Sequence, residues 1–442
     1  MQNTPRILIA GTNSGCGKTT ITCALLSILK NASSFKCGPD YIDPMFHGKI
    51  LGVPSSNLDP FFYDANTLKN LLAENAEGIA VIEGVMGFYD GMTIDDTAGS
   101  TYEVSKITNT PVILTINCRG MAYSVLPIIE GFLNHKKDYN LAGVILNNIS
   151  SMTYPKIKNL IEQKLNIKVF GYLEKLPEDL ILESRHLGLV TANEIENIKK
   201  KLVRLGEIAR KTIDIEEIIK VANCVPALNY TKLEVKPICK DTRIAVAYDK
   251  AFCFYYKDNL NILKKLGATL TYFSPLEDVQ MPEDADGLYL GGGYPELYLE
   301  QLSKNVSMKE SILKFLEDKK PVIAECGGFM YLTKQIQDYK MVGYIDANCE
   351  LTQKLVRFGY ATFTAKHDNL LCKKGECFKG HEFHYSNSTN NGTSYTAIKP
   401  SKIEWEAIIA DENLYAGYPH ISFYSNIDIV RNFIYRCKEI DT

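Results

Sequence analysis

Gly11-Thr12-Asn13-Ser14-Gly15-Cys16-Gly17-Lys18-Thr19-Thr20 lies between a short apolar run, Arg6-Ile-Leu-Ile-Ala10, and a segment from Ile21 to Lys30 that reads as an amphipathic helix. Strand, glycine-rich turn, Lys-Thr and helix, in that order, make a phosphate-binding loop. Gly15 and Gly17 let backbone N–H groups crowd around phosphate oxygens, and the helix N-terminus adds partial positive charge. Lys18 is placed to reach the outer phosphates of ATP, the Thr19 hydroxyl to bind Mg²⁺, and Thr20 to complete the nucleotide contacts. The strict pattern has a glycine where Thr12 stands; Gly11 is one residue early.

The chain has 442 residues, 45% hydrophobic and 23% charged, which predicts two or three domains with ample core. A formal net charge of -3 gives no field that favours nucleic acid or a membrane surface as partner. The residues ahead of the first apolar run are too few for a signal peptide, and no apolar run approaches spanning length. The 12 cysteines are scattered without a framework, so free thiols in a reducing cytoplasm are expected.

After the loop come apolar, β-branched runs at 79–83, 112–116, 142–146 and 168–172, alternating with helical patterns at 66–74, 121–134 and 154–165. That alternation predicts a mostly parallel sheet covered on both faces, with chemistry at the carboxyl ends of the strands. Lys36-Cys-Gly-Pro-Asp40-Tyr41-Ile-Asp43-Pro sets two acids and a lysine in a tight turn. Asp40 and Asp43 are candidate Mg²⁺ ligands and Lys36 a candidate for phosphate or a substrate carboxylate; an Asx-turn with solvated ends is the competing reading. Glu83 ends a buried strand and is the candidate second Mg²⁺ anchor; Asp90, in the glycine-rich continuation, suggests a mobile loop closing over substrate. Asn147 ends another strand and has the paired donor and acceptor that can read an adenine edge. Charged amphipathic helices follow over 192–221, and a Pro- and Lys-rich stretch at 225–240 reads as a linker between domains 1–224 and 241–442.

The second half opens a new α/β pattern with strands at 243–248, 268–273 and 287–290 and a helix at 257–266. In Pro321-Val-Ile-Ala-Glu-Cys326-Gly-Gly, an apolar strand runs into a cysteine and two glycines, the arrangement that exposes a nucleophile on a strained turn. A following helix N-terminus is expected to lower the thiol pKa. Gly291-Gly292-Gly293 ends a strand and can point N–H groups at a developing oxyanion. His420, in Gly417-Tyr-Pro-His, is the candidate base, at a turn or strand edge. The cysteines and histidines at 372, 377, 381 and 384 have metal-like chemistry, but their spacing matches no common zinc pattern; residues 380–386 read as a strand.

The loop, Lys36-x-Gly-Pro-Asp-Tyr-Ile-Asp-Pro, Ile82-Glu-Gly-Val-Met-Gly-x-Tyr-Asp-Gly, Gly291-Gly-Gly-Tyr-Pro-Glu, Glu325-Cys-Gly-Gly and Gly380-His-Glu-Phe-His-Tyr-Ser stand in the order seen in the cobyrinic acid a,c-diamide synthase family of cobalamin-pathway amidotransferases, which the chain resembles over almost its whole length. The resemblance implies a P-loop ATPase domain similar to dethiobiotin synthetase, followed by a class I-like glutamine amidotransferase domain. Carried over by motif, Cys326 would be the glutaminase nucleophile and His420 its base, with the oxyanion near the N–H groups of Gly292 and Gly327. Lys18 and Thr19 would bind ATP and Mg²⁺, with Glu83 and an acid of the 40–43 turn as partners; Lys36, Tyr41 and Asp90 would face the substrate. That substrate would be a corrinoid or related tetrapyrrole, with glutamine as nitrogen donor; hydrogenobyrinic acid and Ni-sirohydrochlorin are alternatives, and a cobyric acid synthase fits worst. A symmetric homodimer is the default assembly. Ordinary glutaminases carry a glutamate two residues after the base; here Ser422 stands there, which leaves open what orients His420 and predicts a weaker intrinsic glutaminase. A partitioning-type ATPase is the alternative from another class, disfavoured by Asn13 where those proteins carry a second lysine and by the elbow cysteine.

Overall fold

The computed structural model describes residues 3–181 and 192–439. The chain divides into two compact units, Met1–Leu233 and Glu234–Thr442.

The strands of the first unit are β1 (Arg6–Gly11), β2 (Ala32–Cys37), β3 (Ser55–Leu58), β4 (Ile79–Glu83), β5 (Val112–Asn117), β6 (Leu141–Asn147) and β7 (Lys168–Leu173). They form one sheet in the order β3-β2-β4-β1-β5-β6-β7, and every neighbouring pair is parallel. Ile7, Leu8, Ile9 and Ala10 are all fully buried, because a parallel sheet covered on both faces has no solvent side for alternation to mark. Helix α1 (Lys18–Ile28) follows β1 directly. The helix expected over 121–134 begins at Val125, because the residues before it close turns such as Met121 N–H to the Cys118 carbonyl at 3.0 Å. In the sheet β4 lies between β2 and β1, so the 36–43 turn, Glu83 and the phosphate loop emerge side by side.

The second unit begins with β8 (Arg243–Ala247), β9 (Phe252–Phe254), β10 (Thr269–Phe273), β11 (Gly287–Leu290), β12 (Gly292–Gly293) and β13 (Val322–Glu325). Its main sheet runs β10-β8-β11-β13, then Leu414–Gly417, then Ile409–Ala410; only the last pairing is antiparallel. A five-stranded antiparallel sheet accompanies it, with Cys377–His384 between Arg357–Ala365 and His420–Ile421. That sheet lies outside the α/β alternation read from the sequence. It places His381 directly opposite His420. Among the described residues, no helix is long and apolar enough to cross a membrane.

Arg6 opens β1 with a fully buried guanidinium. It donates to the carbonyls of Thr108 (3.1 Å), Thr4 (2.9 Å), Asn109 (3.3 Å) and Pro226 (2.9 Å). Burial pulls its pKa down to about 10. Arg6→Met leaves several buried carbonyls without a donor. It should cost about 3 kcal/mol, measured as lost hydrogen-exchange protection in the first sheet.

Candidate functional site

Each unit holds a cluster at the carboxyl end of its parallel sheet. In the first, the phosphate loop turns into α1 through Gly17, whose φ of 110° is left-handed. A side chain at Gly17 is excluded twice over, since a Cβ there meets Asn147 Nδ2 at 2.2 Å. Asn147 Nδ2 donates to the Cys16 carbonyl at 2.9 Å. The donor end of that amide therefore braces the loop, whereas the sequence reading aimed it at an adenine edge. Lys18 donates to the carbonyls of Asn13 and Met86. Burial lowers its pKa below the ordinary lysine value, and the carboxylates of Glu83 and Asp90 oppose that fall. Met86 sits at φ 49°, a strained conformation that turns its carbonyl toward Lys18. The 84–91 segment, read as a mobile loop, is tied down: Phe88 N–H reaches the Gly11 carbonyl at 2.9 Å, and Asp90 Oδ2 accepts from Gly87 N–H at 2.7 Å.

Glu83 is the centre of this cluster and is fully buried. Its Oε1 accepts from the Thr19 hydroxyl at 2.6 Å and from Lys36 Nζ at 2.9 Å. Lys36 also pairs with Asp43 at 2.6 Å, so it bridges two buried carboxylates. Asp40 does something else: its Oδ1 accepts from the N–H groups of Ile42 (2.7 Å) and Asp43 (3.2 Å), an Asx-turn that leads into the short helix Ile42–Phe46. Of the two acids in the turn, Asp43 joins Glu83 at Lys36 and Asp40 takes the Asx-turn role. Tyr41, at the N-cap, is buried.

A Mg²⁺ ion fits this donor set in part. Thr19 Oγ1 and Glu83 are hydrogen-bonded to each other, and Glu83 Oε2 is a buried acceptor with no hydrogen-bond partner. Among the described residues no group of three or more His, Cys, Asp or Glu side chains could cage a metal. That matches Mg²⁺ bound through one or two protein oxygens, phosphates and water rather than a protein cage.

Sequence reasoning missed His47. It is fully buried, with Nδ1 2.8 Å from Ser34 Oγ, and Nε2 3.6 Å from Cys23 Sγ and 3.8 Å from Glu83 Oε2. Burial pushes its pKa down to about 3, so the ring is neutral. It sits on a π-helical turn, His47–Leu51, an irregularity that no propensity pattern signals.

In the second unit Cys326 sits at φ 46°, ψ -101° between β13 and the helix Gly327–Leu332. This is the strained elbow expected of a nucleophile. It closes only against glycines. A Cβ at Gly328 would lie 2.3 Å from the Leu290 carbonyl, and one at Gly327 2.9 Å from Pro295. Cys326 N–H donates to the Gly417 carbonyl at 2.7 Å. The helix N-terminus does not win over burial at this thiol. Desolvation raises its pKa above the ordinary value, the carboxylates of Glu296, Glu325 and Glu382 add to the rise, and only the Gly327 N–H opposes it. The direction is thus opposite to the expected lowering.

His420 is 2% exposed and lies on the edge strand His420–Ile421. A Cβ on Gly292 would fall 2.3 Å from its Cε1, so Gly292 is held against the imidazole, and Gly327 packs beside Gly293. His381 stacks on His420 with ring centroids 5.0 Å apart and planes at 21°, and its Nδ1 is 3.1 Å from Tyr256 Oη. Nδ1 of His420 faces Glu325 Oε2 at 3.7 Å. His384 lies flat on Tyr418 at 3.8 Å and meets Glu382 at 3.2 Å. The structure therefore sets Gly292, Glu325 and His381 around His420, and Gly327, Glu296, Glu325 and Glu382 around the Cys326 thiol. All four additions lie in motifs already quoted, Glu325 beside Cys326, Glu296 at the end of the 291–296 motif and His381 and Glu382 in the 380–386 motif, but nothing local to those motifs assigns them a place around the thiol and His420.

Two family descriptions match the chain: a CobQ/CobB/MinD/ParA nucleotide binding domain over residues 7–190 and a CobB/CobQ-like glutamine amidotransferase domain over residues 243–427. The cobyrinate a,c-diamide synthase of Caldanaerobacter subterraneus subsp. tengcongensis is 43% identical, covering 98% of each chain. The protein of that name from Thermoplasma volcanium is 42% identical over 98% of this chain and 97% of its own, and that from Priestia megaterium 39% identical over the same shares.

Lys36→Met strands Asp43 and Glu83, at 3% and 0% exposure, without their cation. It should destabilise the protein by about 3–5 kcal/mol in calorimetry, and adding Glu83→Gln should restore part of the loss. Glu296 gives a pH test, since burial moves its carboxyl from 4.5 up to about 6. The folded state holds this proton more tightly, so its stabilisation is present below pH 4.5 and lost as pH rises through 6. In denaturation at a series of pH values, the stability of Glu296→Gln relative to the parent should grow over that window and then level off.

Proposed function

The chain belongs to the cobyrinate a,c-diamide synthase family, and from that membership we propose which of its residues carry each half of the reaction. The enzyme is an ATP-dependent ligase with glutamine as nitrogen donor, acting on the a and c side-chain carboxylates of cobyrinic acid in cobalamin biosynthesis. We assign 1–224 as the ligase domain, 225–240 as linker and 241–442 as the glutaminase. The observation that carries the assignment is Cys326 at φ 46°, flanked by glycines and with its N–H on the Gly417 carbonyl three residues before His420, in a chain whose other unit holds the Lys18–Thr19 phosphate loop.

In the glutaminase, His420 takes the thiol proton of Cys326 as the sulfur attacks the glutamine carboxamide carbon. Burial, which raises the thiol pKa, makes a base at this step the more useful. The oxyanion is met by N–H groups near Gly292 and Gly327. Ammonia leaves with a proton from His420, and water hydrolyses the thioester to glutamate, returning the thiol.

In the ligase, a side-chain carboxylate of the corrinoid attacks the γ-phosphorus of ATP and ADP departs, leaving an acyl phosphate. Lys18 and the N–H groups at the start of α1 spread the charge on the phosphates. Thr19 and Glu83, with Asp43 behind Lys36, are the residues that would hold Mg²⁺, which when bound neutralises phosphate oxygens. Ammonia then attacks the acyl carbon, phosphate leaves, and the amide forms. ATP is needed because an ionised carboxylate is a poor electrophile. Two rounds convert both carboxylates. None of the 12 cysteines is in a disulfide, which supports a reducing, cytoplasmic setting.

Cys326→Ser should abolish synthesis with glutamine and retain it with ammonium salts, while Lys18→Ala should lose both, assayed by amide formation on cobyrinic acid. Loss of ammonia-dependent synthesis in a folded Cys326→Ser protein would sink the two-site assignment. Faster turnover of hydrogenobyrinic acid or Ni-sirohydrochlorin in the same assay would move the substrate assignment.

A further inference from the structure

We propose that Glu325 is the positioning carboxylate of the glutaminase, holding His420 through Nδ1 from the residue immediately before the nucleophile. This rests on the reading of Cys326 and His420 as nucleophile and base. It answers the question that Ser422 raises, since no acid stands two residues beyond His420.

Glu325 ends β13, which pairs in parallel with Leu414–Gly417 in the register Glu325↔Gly417. Three residues beyond Gly417 the chain reaches His420, so the strand pairing itself brings the acid to the base. The Glu325 side chain is 1% exposed and fixed on both sides of the histidine. Its Oε1 accepts from Tyr289 Oη at 3.2 Å and from the Ile421 N–H at 3.3 Å, and its Oε2 lies 3.7 Å from His420 Nδ1. The last distance is longer than a made hydrogen bond, as is common for catalytic pairs before substrate tightens them.

The ring cannot easily present its other nitrogen. Gly292 abuts Cε1, His381 covers one face at 5.0 Å, and Phe254 meets the ring edge-on at 6.4 Å. With Nδ1 turned to Glu325, Nε2 is the nitrogen left to take a proton from sulfur. A carboxylate at Nδ1 selects the Nδ1–H tautomer and stabilises the imidazolium that forms when Nε2 is protonated, the role of the acid in a nucleophile–His–acid triad. Consecutive residues thus divide the labour: the positive φ at Cys326 turns its thiol out at the strand end, and Glu325 stays in the sheet. The titratable groups around the pair include His381 from Cys377–His384, Glu296 and Glu382 acting on the thiol, and Tyr289 from β11, Tyr255, and Tyr415 from Leu414–Gly417 facing the carboxylate.

Glu325→Gln keeps the shape and removes the charge. Glutaminase kcat should fall on the order of 10²–10⁴-fold with the KM for glutamine changed only a few-fold. Synthesis from ammonium salts should be unchanged, and the acid limb of the glutaminase pH profile should move to lower pH. Unchanged kcat and pH profile would overturn the proposal, as would rescue of neither limb by Glu325→Asp. Imidazole ¹⁵N signals of His420 in the unmodified protein test it without any variant: a neutral ring protonated at Nδ1 is expected, and one protonated at Nε2 would overturn it. If Cys326→Ser and His420→Asn lose glutamine turnover while Glu325→Gln keeps it, only the positioning role fails. If Cys326→Ser keeps glutamine turnover, the underlying reading fails instead.

Discussion

A carboxylate sealed from water at the carboxyl end of a parallel strand is the constraint on which both clusters depend. Glu83 ends β4 and Glu325 ends β13, at 0% and 1% exposure. A buried charge is tolerated only when it is paired and hydrogen-bonded, so each acid dictates its surroundings. Around Glu83 these are the Thr19 hydroxyl, Lys36 and, through Lys36, Asp43. Around Glu325 they are Tyr289, the Ile421 N–H and His420. In both cases the pairing draws reactive groups from separate segments into one spot: the loop threonine in one unit, the base in the other.

Close approach of backbone is the second constraint. The elbow at Cys326 holds a non-glycine residue at positive φ, and the strain persists because its neighbours cannot be anything but small. Gly291 carries two duties there: its carbonyl accepts from Gly328 N–H at 3.0 Å, and its N–H donates to Tyr255 Oη at 2.7 Å. Desolvation follows from the same tight packing and raises the pKa of the thiol.

Most parallel strands of both units were legible as apolar runs because strands buried on two faces favour unbroken hydrophobic sequence; β2 and β3, Ala-Ser-Ser-Phe-Lys-Cys and Ser-Ser-Asn-Leu, and Leu414–Gly417 were not. The elbow and the phosphate loop were legible for a different reason: their glycines answer to local backbone geometry that close neighbours in sequence express. The antiparallel sheet of the second unit was not, beyond residues 380–386, because its strands are half-exposed and their pairing is long-range. Asp40 and Asp43 looked equivalent in the turn; only packing separates an Asp that closes an Asx-turn from one that pairs with Lys36.

Sequence alone determined the chemistry types and their order along the chain: a nucleotide loop with its lysine and threonine, an acid after β4, a thiol on a glycine-flanked turn, and a histidine near the end. Local dihedral demands and burial of strand faces are written residue by residue, so they survive without the fold. Tertiary structure decided which groups meet and in what protonation state. It set His381 against His420, brought His47 to Glu83, turned Asn147 onto the loop and raised the thiol that an isolated helix N-terminus would have lowered. Those outcomes depend on distance through space and on exclusion of water, and neither quantity exists until the strands are paired and the core is closed.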